Sequence, residues 1–233
     1  MSTSTEQVIQ ILGPTTSGKT EIAIQLAKTL NGALVNSDKL YLYDGRLFCF
    51  GTGASDAAEN VPRYLFGILG AHAPRPHPDA FAKMLTGAVK TIKQRNMVPI
   101  IEGCSVSYNS ALIQRHIPSV VIGIRLNDDE LAARVKKRVD EIFSQAILET
   151  QQLMQSNLVE TYVFSRGVIY QIISKFLSGE LSEQQTKSML SERLVSIARD
   201  QQERFEGFSN IKWVYNTGNT KNVLSEVIKI IES

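Results

Sequence analysis

The amino-acid sequence predicts an α/β protein in which a mainly parallel sheet carries helices on both faces. Two observations predict this class. Short apolar runs of strand type recur along the chain, and most are separated by segments long enough for a helix, as in parallel strands joined by crossover helices. The first run leads into a glycine-containing loop and then a helix-type segment, which is the order of a phosphate-binding unit.

The predicted strands are short and rich in Val, Ile and Leu. They cover residues 8–12, 33–36, 97–102, 120–126 and 211–215. Residues 43–73 contain many Gly and Pro and have only a weak period, so we expect a loop-rich wall there.

Three long segments have helical patterns. Residues 78–95 place apolar side chains at core-facing spacing, and residues 128–153 carry the densest basic cluster. Ser182 followed by Gln185 is typical of a capping box, which would open a helix running to about Phe205. We expect one domain over residues 1–233, with residues 140–206 forming a small helical lid.

Composition narrows the class of protein. The 233 residues are 43% hydrophobic, which is enough for a sizeable core. The formal net charge of +2 does not give the broad positive surface that nucleic-acid binding normally requires. Two cysteines and three histidines show no metal-ligand spacing. No secretory leader pattern or membrane-length apolar run is visible, so we expect a cytoplasmic protein that does not contact membranes. The oligomeric state is left open.

Residues 13–20 read GPTTSGKT, a complete G-x-x-x-x-G-K-[ST] phosphate loop between a strand and a helix. Backbone N–H groups of such a loop converge on phosphate oxygens at a helix N-terminus. Lys19 would reach the phosphates as a point charge, and the Thr20 hydroxyl sits where Mg²⁺ is usually held. The flanking strand and helix argue against a chance match, so the chain is predicted to bind a di- or triphosphate.

Polar residues follow the second and third predicted strands. Asp38 comes after the second strand, at the sheet edge where ligands of open α/β sheets bind. It could ligate Mg²⁺ through water, accept a proton, or cap a helix. The third strand ends in an acidic residue followed by small ones; Ser105 and Ser107 there could donate to a phosphate or base, while Ser105 could equally cap the next helix.

Arg134 and Arg138 lie four residues apart and therefore on one helix face. Two guanidinium groups so placed can clamp a diphosphate. A basic run of this kind is also common on solvated helix faces. Because the chain also contains a phosphate loop, we favour the interpretation that these arginines clamp a diphosphate.

These motifs resemble the isopentenyltransferase family, which comprises tRNA dimethylallyltransferases and the adenylate dimethylallyltransferases of cytokinin synthesis. The matching segments are 13–20 (G-P-T-x-[ST]-G-K-[ST]), 36–39 (S-D/A-D-[KRS]), 51–53 (G-T), 102–105 (Gly-Gly-[ST]), 134–139 (R-x-x-x-R-V) and 198–201 ([AK]-R-x-Q). Departures are Tyr41 where members often have Gln, Cys104 in place of the second Gly, and Gln171 in place of Arg or Lys. The resemblance implies a P-loop NTPase-like fold with a helical lid.

The resemblance implies a prenyltransferase that moves a dimethylallyl group from dimethylallyl diphosphate to the N6 amine of a free adenine nucleotide, AMP first, with Mg²⁺ as cofactor. In tRNA-modifying members a helical domain is inserted before the R-x-x-x-R-V helix. Here the connection from Gly103 to Arg125 is short, so tRNA is not the expected partner. Ile197, where users of a hydroxylated donor tend to have a polar residue, favours the plain dimethylallyl chain.

The resemblance also implies roles for individual residues. Catalytic roles fall to Asp38, which would take a proton from the acceptor amine, and to Thr15 and Arg138. The leaving diphosphate would be held by Gly13, Thr15, Ser17, Gly18, Lys19, Thr20, Arg125 and Arg138, with the metal on Thr20. The acceptor nucleotide would be held by Ser37, Asp38, Thr52, Ser105 and Arg199. The alternatives are a tRNA adenosine dimethylallyltransferase, a P-loop small-molecule or nucleotide kinase, or a diverged nucleotide-binding protein.

Overall fold

The structure, a computed structural model, describes residues 7–44 and 60–233. Its centre is a six-stranded parallel sheet with the strand order β3-β2-β4-β1-β5-β6. The strands are β1 (Ile9–Leu12), β2 (Gly32–Asn36), β3 (Arg63–Tyr64), β4 (Val98–Gly103), β5 (Val120–Arg125) and β6 (Lys212–Tyr215). The predicted α/β class with a parallel sheet is confirmed.

Eight helices lie within the described ranges, and they connect or cover the strands. They are α1 (Lys19–Leu30), α2 (Pro78–Gln94), α3 (Val106–Gln114), α4 (Asp128–Gln155), α5 (Tyr162–Arg166), α6 (Val168–Leu177), α7 (Glu183–Glu206) and α8 (Thr220–Glu232). None of these helices carries an apolar stretch long enough to cross a membrane.

Both faces of the sheet are covered, because neighbouring strand residues point to opposite sides. Ile100 of β4 belongs to a core cluster with Leu26 of α1 and Val227 of α8. The next residue, Ile101, belongs to a different cluster with Phe81 of α2 and Tyr108 of α3. The sheet is therefore the middle layer of three.

The strand register places several loops at one edge of the sheet. Leu12, the last residue of β1, pairs with Gly103 of β4 and Gly123 of β5. Asn36, the last residue of β2, pairs with Glu102. The loops that follow β1, β2 and β4 therefore begin side by side at the carboxyl edge, where ligands of such sheets bind.

Helices α4 to α7 form the group here called the lid helices. Helices α4, α6 and α7 share a core cluster of their own, which includes Val135, Phe143, Ile173 and Ala198. The predicted lid, residues 140–206, falls inside this group but starts within α4, which begins at Asp128. That these helices act as a lid within a single domain stays a prediction.

Local sequence patterns predicted most of the helices and strands. The capping box at Ser182 is confirmed, because its Oγ accepts from the Gln185 N–H and the Gln185 side chain accepts from the Ser182 N–H. Strand β3 was not predicted, since it has two residues inside the weakly patterned stretch 43–73. Part of that stretch, residues 45–59, lies outside the described ranges.

Candidate active site

The phosphate loop joins β1 to α1, and two of its positions require glycine. Gly18 has φ 85°, and a Cβ there would lie 2.5 Å from Asn216 Nδ2. A Cβ on Gly13 would lie 2.3 Å from the Ile124 carbonyl oxygen. Thr16 also has a positive φ of 64°, which is unusual for a β-branched residue. This tightly wound backbone is typical of an anion-binding loop.

The charged residue of the loop is sheltered. Lys19 is 6% exposed, and its Nζ donates to the Pro14 carbonyl at 3.3 Å. The ammonium group is therefore held against the loop's own backbone, over the positions where phosphate oxygens bind in loops of this sequence.

Asn216, in the loop after β6, fastens the phosphate loop to a lid helix. Its Nδ2 donates to the Ser17 carbonyl at 2.8 Å, and its Oδ1 accepts from Arg134 Nη2 at 3.2 Å. Sequence reasoning placed Arg134 in a diphosphate clamp but gave Asn216 no role. A single Asn after the last strand carries no local motif that could have marked it.

Glu102 and Thr20 form a polar pair beneath the loop. Thr20 Oγ1 donates to Glu102 Oε2 at 3.1 Å, whereas Glu102 Oε1 is buried without a hydrogen-bond partner in the described structure. Burial raises the pKa of Glu102, and Lys19 and the Thr20 hydroxyl oppose this rise only in part. The sequence marked an acidic strand end here but did not assign Glu102 to the site.

Asp38 is fixed at the carboxyl edge of β2. Its backbone N–H donates to Asn36 Oδ1 at 2.6 Å. Its Oδ1 accepts from the Leu40 N–H at 2.8 Å, and its Oδ2 accepts from the Cys104 thiol at 2.6 Å. The chain continues from Asp38 into a turn and not a helix, so the helix-capping alternative does not describe it.

The predicted acceptor residues Ser37 and Ser105 differ in position. Ser37 is fully buried, and its Oγ donates to Asn109 Oδ1 at 2.9 Å. Ser105 precedes α3 without a side-chain capping bond, and its Oγ lies 3.5 Å from Ser107 Oγ. Ser105 and Ser107 line the cavity described next, whereas Ser37 does not.

A cavity of about 460 Å³ lies between this sheet edge and the lid helices. Thr15 of the phosphate loop and Asp38 both line it. Its apolar wall consists of Leu40, Val106, Val168, Ile169, Leu194 and Ile197. Basic side chains at its lining are Lys39, Arg166, Arg193 and Arg204. The cavity thus combines an anion-binding loop, a carboxylate and an apolar surface.

Two departures from the family pattern also line the cavity. Tyr41 stacks against Phe66 at 6.3 Å between ring centroids, and its pKa is raised well above the ordinary value by burial and by Asp38. Burial and Asp38 also raise the pKa of Cys104. Both groups are therefore neutral hydrogen-bond donors at physiological pH.

The predicted arginines are dispersed. Arg138 is exposed on α4. It is near enough to Tyr41 to oppose, in small part, the rise in the pKa of that phenol caused by burial and Asp38. Arg125 stacks over Tyr215 at 4.1 Å and lies 3.7 Å from a Glu206 oxygen.

Arg199 pairs with Asp128 at 3.1 Å and lines a separate groove between α4 and α7. It therefore does not lie with Asp38 in the cavity. Thr52 falls outside the described residues.

Comparison with known proteins identifies the family. The sequence pattern of the isopentenyl transferase family matches residues 6–205. The chain therefore belongs to the isopentenyl transferase family. This confirms the resemblance drawn from the motifs and the class of enzyme, a prenyltransferase, that it implied.

The relatives include enzymes named for both acceptors. The chain is 29% identical over 151 residues to the mitochondrial adenylate isopentenyltransferase 7 of Arabidopsis thaliana, covering 62% of the chain but only 46% of that protein. It is 22% identical to a tRNA dimethylallyltransferase of Salinispora tropica, over 96% of the chain and 92% of that protein. The prediction that tRNA is an unlikely partner is thus not supported by the comparisons.

Solved structures share the fold. A tRNA isopentenylpyrophosphate transferase from Staphylococcus epidermidis matches with a TM-score of 0.85 at 20% identity, covering 97% of this chain and 98% of that one. The corresponding enzyme of Bacillus halodurans matches with a TM-score of 0.82 at 18% identity, covering 97% of each chain.

Proposed function

We propose that the protein transfers a dimethylallyl group from dimethylallyl diphosphate to the N6 amine of a free adenine nucleotide, with AMP preferred, and releases diphosphate. The observation that carries this proposal is the shared cavity. Thr15 of the phosphate loop and Asp38 open into the same space, and that space has an apolar wall.

The diphosphate and the five-carbon chain of the donor fit two different parts of this cavity. The loop N–H groups and Lys19 take the diphosphate, and Arg138 approaches from α4. As the allylic C1–O bond breaks, these groups stabilise the negative charge that builds up on the leaving diphosphate. The apolar wall takes the five-carbon chain, and Ile197 within it favours the unhydroxylated donor.

The acceptor amine is placed by Asp38. A carboxylate whose position is fixed by Leu40 and Cys104 can accept a hydrogen bond from the N6 amine. It takes the proton as the amine bonds to C1 of the allylic chain. The enclosing lid helices keep water from competing with the amine for the allylic carbon.

Mg²⁺ fits the residues beneath the loop. The Thr20 hydroxyl and the buried, unpartnered Oε1 of Glu102 supply the hard oxygen ligands that this ion prefers. Mg²⁺ held there would neutralise charge on the diphosphate.

A free nucleotide is supported as acceptor by a short connection. Helix α3 ends at Gln114 and β5 begins at Val120. The alignment with the Salinispora enzyme runs over 297 positions, more than the 233 residues of this chain, so that tRNA enzyme carries residues without a counterpart here. The plant relative is named an adenylate isopentenyltransferase, which supports a free adenine nucleotide as acceptor. The product would be of cytokinin type.

A tRNA adenosine is the second candidate acceptor. It is favoured by the breadth of the matches, since tRNA enzymes align with nearly the whole chain in sequence and in fold.

One experiment tests the function. The protein is incubated with Mg²⁺, dimethylallyl diphosphate and separately AMP, ADP, ATP or an unmodified tRNA, and products are detected by mass. We expect prenylated AMP, and turnover lower by about 10²-fold or more in Asp38→Asn, which keeps the side-chain size but not the base. Product only with tRNA would favour the second candidate, and phosphoryl transfer from ATP would indicate a kinase.

A further inference from the structure

The side chain of Gln201 occupies a hydrogen-bonding position of the phosphate loop. Gln201 belongs to the lid helix α7, and its Oε1 accepts from the Thr15 backbone N–H at 2.8 Å. Because loop N–H groups bind phosphate oxygens, a diphosphate that takes this N–H must displace the Gln201 carbonyl.

The other end of the same side chain reaches the acceptor side of the cavity. Gln201 and Cys104 line the same cavity, where the Gln201 amide is placed to donate to the Cys104 sulfur. The Cys104 thiol in turn donates to Asp38 Oδ2 at 2.6 Å. The other carboxylate oxygen accepts from the Leu40 N–H. Each carboxylate oxygen of Asp38 therefore already accepts one hydrogen bond.

These residues form a polar series from Thr15 through Gln201 and Cys104 to Asp38, with a hydrogen bond at each end. The Cys104 thiol is the donor in its contact with Asp38, because a carboxylate oxygen can only accept.

We propose that Gln201 and Cys104 are positioning residues that couple the donor site to Asp38, so that diphosphate binding makes Asp38 available to the acceptor amine. This inference rests on the proposed function, in which the loop takes the donor diphosphate and Asp38 takes the amine.

The coupling has three steps. Diphosphate takes the Thr15 N–H, and the Gln201 carbonyl leaves it. The Gln201 amide then withdraws from Cys104, and the thiol is free to rotate away from Asp38. Asp38 Oδ2 can then accept from the amine, so the donor strengthens acceptor binding and the acceptor strengthens donor binding by the same factor.

Calorimetric binding of AMP, with and without Mg²⁺ and inorganic diphosphate, tests this coupling without turnover. For the unmodified protein we expect diphosphate to tighten AMP binding by about 5-fold or more. In Gln201→Ala, AMP binding should no longer respond to diphosphate, and diphosphate itself should bind more tightly because its competitor at Thr15 is gone.

Cys104 variants separate the contact between Gln201 and Thr15 from the contact between Cys104 and Asp38. Cys104→Ala should abolish the response while leaving diphosphate affinity unchanged, because the Gln201 bond to Thr15 remains. Cys104→Ser should retain the response, since a hydroxyl still donates to Asp38. Gln201→Met provides a second variant of similar volume should Gln201→Ala not fold, and Gln202→Ala is a matched control expected to behave as the unmodified protein.

The outcomes distinguish this inference from the proposed function. Coupling that persists in the Gln201 variants and Cys104→Ala, or that is absent or negative in the unmodified protein, overturns the inference and leaves the function standing. Failure of the unmodified protein to bind either diphosphate or AMP overturns both.

Discussion

Glu102 is the residue whose chemistry depends most on its position in the fold. It lies near the end of a central strand and is fully buried, and it accepts a hydrogen bond from the hydroxyl of Thr20, the last residue of the phosphate loop. A buried carboxylate with one unpartnered oxygen is costly unless a cation satisfies it. The nearby Lys19 lowers its pKa only in part, which leaves room for Mg²⁺ to stabilise this group.

Glu102→Gln should change how stability depends on pH. Because the folded-state pKa of Glu102 is raised, the native state holds its proton more tightly than the unfolded chain, so the group's contribution is full at low pH. It is lost as the pH rises above about 4.3 and through the raised folded pKa. The stability of Glu102→Gln relative to the unmodified protein should therefore increase with pH.

Thermal unfolding of both proteins without Mg²⁺, from about pH 4 to pH 8, checks this sign. With Mg²⁺ and diphosphate present, the unmodified protein should be the more stable of the two, since the amide is a poorer metal ligand than the carboxylate. A constant difference between the two proteins at every pH would contradict the role given to burial.

Which site residues could be predicted depended on whether their signal was local. The phosphate loop is contiguous, so Lys19 and Thr20 could be assigned from sequence. Gln201 contacts Thr15 across 186 residues of chain, and no pattern at either end indicates that pairing. The groove position of Arg199 likewise follows from its contact with Asp128 on another helix.

At the scale of elements, the site depends on close approach between the ends of β2 and β4. A Cβ on Gly103 would lie 2.4 Å from the Ser37 carbonyl carbon and 2.6 Å from the Asp38 nitrogen. These are backbone atoms that cannot rotate away. The glycine at the end of β4 therefore sets the position of the segment that carries Asp38.

Gly103→Ala should lower the free energy of unfolding by about 1–3 kcal/mol, as overpacking does, and should reduce turnover further by shifting Asp38. Gly87→Ala is the matched control, because a Cβ there meets open space on helix α2. It should stabilise the protein by up to about 1 kcal/mol. Urea unfolding measures both changes, and equal stability of the two variants would argue against the close approach.

The elements themselves were largely predictable, because apolar periodicity and caps are local properties. Strand β1 and helix α2 lie within one residue of their predicted bounds. Strand β3 has two residues, Arg63 and Tyr64, which pair with β2. So short a strand is defined by its partner and not by its own sequence.

At the scale of the whole molecule, the cavity exists only where two packed units meet. The sheet edge supplies the phosphate loop and Asp38, while α6 and α7 supply the opposite wall, which includes Ile169 and Ile197. Helices α4, α6 and α7 share a core cluster distinct from those that cover the sheet, whereas α5 packs in a cluster with Ile101 of the sheet. Leu40 and Val106 supply the part of the apolar wall on the sheet side. Sequence alone predicted both units but could not show how they face each other.

The choice of acceptor is also a property of the whole molecule, because RNA binding depends on the sum of many phosphate contacts. A protein that makes six to ten such contacts loses about 10³–10⁵ in affinity between 50 and 200 mM salt. With a net charge of +2, we expect this chain to make few of them.

The KM for AMP should therefore change by less than about tenfold between 50 and 200 mM salt, and unmodified tRNA should not inhibit prenylation of AMP. Initial rates at several salt concentrations, with and without tRNA, measure both effects. Inhibition by tRNA that disappears steeply as salt rises would instead indicate an RNA-binding surface and favour tRNA as the acceptor.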